Sequence, residues 1–211
     1  MRPMSTWISE PPRIALAALA ALLVLAGCFE TEALSRIGPR AAGSGPGAIT
    51  VLDGAVTVAG PDGFCVDESA TREAGDNAFV LLRHCRGSRG PVLSVTVTDQ
   101  RVPAGDRSAQ LDALAAFLAT EAGRGQLSRR GRAGDVAIDQ IGLREGTLWL
   151  HLTDIGNPES FEAGYWRSVL PVAGRLVTLS AMSLREAPSS RAAGERAMGA
   201  LIDTLRRRNL D

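Results

Sequence analysis

A chain of 211 residues holds one ordinary domain together with an export segment, and its 45% hydrophobic and 22% charged residues are enough to bury a core and exclude wholesale disorder. The 23 basic and 23 acidic residues cancel, so no global field draws the chain onto nucleic acid, and no nucleic-acid partner is expected. All 23 basic residues are arginine, which excludes the chemistries that need a lysine: a P-loop, a Schiff base or a Ser-x-x-Lys nucleophile pair.

Residues 1–13 carry Arg2 and Arg13 with a single Glu10, and residues 14–26 (IALAALAALLVLA) are wholly apolar. A charged stretch followed by an apolar run of this length predicts a signal sequence, because a bilayer core about 30 Å thick needs roughly 20 apolar residues to be crossed by a helix. The run ends at Leu25-Ala26-Gly27-Cys28, which resembles the lipobox of bacterial lipoproteins. That resemblance implies cleavage after residue 27, acyl chains on Cys28 and attachment to a membrane through them. In such families an Asp after the lipidated cysteine marks inner-membrane retention; Phe29 stands there, so outer-membrane sorting is expected, with the domain facing the periplasm. Two or three acyl chains make a stable anchor, since each buried methylene contributes about 0.8 kcal/mol. Residues 28–47 then read as the lipidated cysteine and a Gly-, Pro-, Ala- and Ser-rich tether, and 48–211 as a single domain.

With Cys28 spent on lipid, Cys65 and Cys85 remain as an even pair in an oxidising compartment, which predicts a disulfide; free buried thiols or a metal pair are the alternatives. The pairing closes a loop that contributes roughly 3 kcal/mol by restricting the unfolded chain. His84 adjoins Cys85, yet neighbours on a strand point to opposite faces, so a Cys-His dyad is not expected.

Along the mature chain, residues 49–59 alternate around Asp53-Gly54 and predict two short strands joined by a hairpin turn. Residues 64–66 add a brief strand, 67–77 a polar stretch with one helical turn, and 78–85 (AFVLLRHC) a buried strand. Residues 91–98 place Leu93, Val95 and Val97 on one face and Ser94, Thr96 and Thr98 on the other, the pattern of a half-exposed strand. Ser108 is the expected N-cap of a helix whose Leu111, Leu114 and Leu118 continue to about Ala122, ahead of Gly123 and Gly125. Strands follow over 135–143, 147–154, 165–172 and 175–184 as two hairpins. In the strand 147–154 Leu148, Leu150 and Leu152 face the core, opposite Thr147, Trp149, His151 and Thr153. A helix from about Ser190 to Arg208 closes the chain on Met198, Leu201, Ile202 and Leu205.

Strands, a helix, four antiparallel strands and a helix define an α+β domain with two main helices packed on an antiparallel sheet. This order is similar to that of the Mog1/PsbP-like fold. The segment Gly60-Pro61-Asp62-Gly63-Phe64-Cys65-Val66-Asp67, followed by Arg72 and by Ala78-Phe79-Val80-Leu81-Leu82 up to Cys85, resembles a family of uncharacterised exported bacterial proteins with two such cysteine segments.

No nucleophile elbow, phosphate loop or metal spacing occurs in the sequence, so no catalytic residue, metal or cofactor is assigned. Gly43-Ser44-Gly45 reads as linker and Gly123-x-Gly125 as a helix stop. Asp135 and Asp139 share one strand face but lie about 13 Å apart by strand rise, too far to share a proton, and read as a solvated face. The set that stands out is Trp149, His151, Tyr165, Trp166 and Arg167, because aromatics are only 4% of the chain and three fall in adjacent strands. As a partner-binding surface they would supply large rigid area with polar ends; as core they would cap the hydrophobic interior beneath a helix. Two functions follow: a non-enzymatic binding or assembly module for an envelope protein, or a periplasmic hydrolase with an uncommon site. The second requires His84 or His151 to meet carboxylates in space.

Overall fold

The computed structural model describes residues 47–87 and 89–210; the expected leader, Cys28 and nearly all of the tether lie outside them. Among the described residues ten strands and three α-helices follow in order: β1 (Ala48–Val51), β2 (Val56–Ala59), β3 (Phe64–Val66), β4 (Arg72–Ala74), β5 (Asn77–His84), β6 (Val92–Arg101), α1 (Arg107–Leu118), α2 (Glu121–Leu127), β7 (Val136–Arg144), β8 (Thr147–Asp154), β9 (Phe161–Val172), β10 (Arg175–Leu184) and α3 (Arg191–Arg208). A 3₁₀ turn at Ala133–Asp135 leads into β7.

β3 and β5 to β10 form one antiparallel sheet in the order β3-β5-β6-β10-β9-β8-β7, with β4 paired to the other end of β5. β1 and β2 make the hairpin predicted around Asp53-Gly54, closed by the Ala55 amide donating to the Leu52 carbonyl at 3.1 Å. This hairpin stands outside the main sheet and lies against one face of it. Val51, Val56 and Val58 join Val80, Leu82, Val95 and Leu179 of the sheet and Met198, Leu201, Ile202 and Leu205 of α3 in one apolar cluster. On the opposite face, Leu111, Leu114 and Leu118 of α1 and Leu127 of α2 pack with Phe79, Leu81, Leu148, Leu150, Leu152 and Tyr165. The α+β class with helices on an antiparallel sheet is therefore present, and its helices cover both faces.

That double cover corrects the expectation of a half-exposed strand at 91–98. Ser94 and Thr96 of β6 are each 1% exposed, because β6 is a central strand and its hydroxyl-bearing face lies on the α1 side. Burying a small hydroxyl costs least when it is bonded, and Thr98 donates to the Leu176 carbonyl at 3.3 Å. The Thr96 hydroxyl has no hydrogen-bond partner among the described residues. Thr96→Val keeps the shape and removes a buried polar atom left unpaired, so thermal unfolding should show a gain of about 1 kcal/mol.

The helix expected from Ser108 to Ala122 is two helices. Asp106, not Ser108, caps the first, accepting from the Ser108 and Ala109 amides at 2.9 and 3.2 Å. Thr120 is extended and caps the second through its hydroxyl on the Gly123 amide at 3.1 Å. A Cβ at position 123 would collide with the Phe117 carbonyl, so glycine there allows the second helix to fold back tightly rather than merely ending the first. Residues 67–71 form the expected helical turn, with the Thr71 amide donating to the Asp67 carbonyl at 3.0 Å. The short strand β4, pairing Arg72 with Phe79, was not foreseen there. β9 begins at Phe161, four residues earlier than the sequence indicated.

Candidate functional site

The five residues expected to form one surface sit on neighbouring strands, with His151 opposite Trp166, Leu152 opposite Tyr165 and Leu150 opposite Arg167. Directly opposed residues share a face and successive residues alternate. The structure therefore brings Trp149, His151 and Trp166 together on the α3 side and sends Tyr165 and Arg167 to the α1 side. All five are buried, Trp166 to 2% exposure, so the aromatics cap the core beneath a helix.

On the α3 side the two indoles meet edge to face at 5.9 Å, and the His151 ring stands edge-on to Trp166 at 5.0 Å. Trp166 donates through Nε1 to the Arg191 carbonyl at 3.0 Å. α3 comes this close because Gly194 lies over Trp166, where a Cβ would stand 3.2 Å from its Cδ1. Around the indoles runs a polar rim. The Arg144 guanidinium lies 4.8 Å from the Trp149 ring and that of Arg191 lies 5.3 Å from the Trp166 ring, both cation–π contacts. Arg144 pairs with Glu195 at 2.6 Å, and Arg191 donates to Gln140 Oε1 at 3.0 Å. Each contact ties the first turns of α3 to the edge strand β7.

His151 Nδ1 lies 2.8 Å from Asp139 Oδ2, and the Thr153 hydroxyl donates to the same oxygen at 3.4 Å. Asp139 reaches the histidine because the register of β7 shifts between Ile138 and Gln140, a bulge that re-aims its side chain. The expected shared strand face of Asp135 and Asp139 is corrected: Asp135 precedes β7 and pairs with Arg132 at 3.0 Å, whereas Asp139 is solvent-exposed as expected, its side chain 39% exposed, and pairs with His151. An Asp–His pair can orient an imidazole as a general base. Among the described residues no serine, threonine or cysteine side chain hydrogen-bonds to that imidazole, and no group of three or more His, Cys, Asp or Glu side chains could hold a metal ion.

Cys65 and Cys85 form a disulfide with their Cα atoms 5.0 Å apart, which disposes of the free-thiol and metal readings. His84 packs on Phe64 at 4.2 Å between ring centres and takes no part in a dyad with Cys85. It lies four strands from His151, so the two histidines do not converge.

Arg167 and Tyr165 belong to a buried polar cluster on the α1 face. Arg167 stands opposite Ser180, and Ser180 opposite Ser94. Arg83, 4% exposed, has its Nε 3.2 Å from Asp67 Oδ2. Burial pulls its guanidinium below the usual arginine range, against the opposing charges of Asp67 and Glu186. Arg129 reaches the same region, with Nε on Asn157 Oδ1 at 2.9 Å and its terminal nitrogen 3.7 Å from Met182 Sδ.

The polar rim of Asp139, Gln140, Arg144, Arg191 and Glu195 escaped sequence reasoning. The i,i+4 spacing of Arg191 and Glu195 at the start of a helix was the one signal pointing to it, since a bulge and a helix-to-strand contact leave no local pattern. Fold and site together define an α+β domain whose eight-stranded antiparallel sheet is helix-covered on both faces and bears a Trp–His cluster under its C-terminal helix. No family model matches the chain, and no curated protein or solved structure matches it.

Proposed function

We propose that the chain is a lipid-anchored envelope lipoprotein, held to a membrane through Cys28 and facing the periplasm, whose domain is a non-enzymatic binding or assembly module. The observation that carries the anchor is the Cys65–Cys85 disulfide. It uses two of the three cysteines and leaves Cys28, at the end of the apolar run, as the sulfur open to acylation. Mass spectrometry of protein recovered from membranes is expected to find an N-terminus at Cys28 carrying fatty-acid mass. Cys28→Ser should be full length and lack that mass. A wild-type chain starting at Met1, or identical masses in the two proteins, would refute the anchor. With Phe29 after the cysteine, outer-membrane sorting is part of the reading, and separated membranes test it.

The binding reading is supported by the rim above the indoles, where exposed Asp139, Gln140, Arg144 and Arg191 are held in place by buried aromatics. Such preorganised polar groups bind with little ordering cost. Arg144→Ala should leave the melting transition within a few degrees of wild type, since surface pairs contribute about 0–1 kcal/mol, and should lower capture of an envelope partner about tenfold. Unchanged capture at unchanged stability removes the rim from the binding surface. A periplasmic hydrolase is the second reading, favoured by the His151–Asp139 pair. In that case His151→Gln abolishes turnover of ester or peptide substrates while the domain remains folded.

A further inference from the structure

We draw no further inference here: the strongest candidate, the buried cluster of Arg83, Arg129, Arg167, Tyr165, Ser94 and Ser180 on the α1 face of the sheet, has each of these side chains already engaged in an interaction, and nothing in the structure shows what further partner would enter it.

Discussion

Trp166→Ala is expected to lower the free energy of unfolding by about 3–5 kcal/mol, the range for deleting a large buried aromatic. The indole is buried in a cluster with Leu179, Ala181, Met198 and Leu201, and it meets Trp149 edge to face. Its Nε1 also donates to the carbonyl of Arg191 at the first turn of α3. Truncation leaves a cavity between sheet and helix, takes the indole donor away from that carbonyl and removes the ring under Arg191. Domains are stable by only about 5–15 kcal/mol, so the loss is a large share of the total. For a domain of this size it corresponds to a fall of roughly 10–15 °C in melting temperature. Trp166→Phe keeps most of the volume and should cost less than half as much. A melting temperature within 2 °C of wild type for the alanine variant would mean that α3 is not held through this ring.

Removing the disulfide, as Cys65→Ser with Cys85→Ser, should cost about 3 kcal/mol, within the range of 2–5 typical of native bridges. The effect is concentrated at one place. β3 contributes only three residues to the edge of the sheet, with Cys65 opposite Arg83 and Val66 opposite Leu82. Beyond the bridge it is held by the Cys85 amide on the Gly63 carbonyl and the Asp67 amide on the Leu81 carbonyl, both at 2.8 Å. Hydrogen exchange in the double variant should therefore accelerate first over residues 60–76, ahead of β8, β9 and β10. Uniform acceleration across the sheet would show that the bridge acts only on the unfolded chain. Reducing the wild-type protein should reproduce the variant's melting temperature.

Most of the strands and the last helix were legible because their signals are local. Alternation in 147–154, the turn at Asp53-Gly54 and the Met198, Leu201, Ile202, Leu205 stripe depend on neighbours in sequence alone, and each element stands where its pattern placed it. β6 shows where that reading stops. A row of Ser94, Thr96 and Thr98 looks solvent-facing in any single strand, and only the placement of α1 and α2 on that side of the sheet buries it. The division of Trp149, His151 and Trp166 from Tyr165 and Arg167 was implicit in the alternation of each strand. Which residues stood opposite one another needed the β8–β9 register.

By itself the amino-acid order determined most element types, the antiparallel α+β class and the candidate Cys65–Cys85 pair, all of which follow from spacing, turn chemistry and residue counts. The tertiary structure alone decided that the helices cover both faces, that the aromatic set is core with a polar rim, and that a bulge delivers Asp139 to His151. Those outcomes depend on which surfaces meet after the chain has folded back on itself, and contacts between residues far apart in sequence leave no period to read.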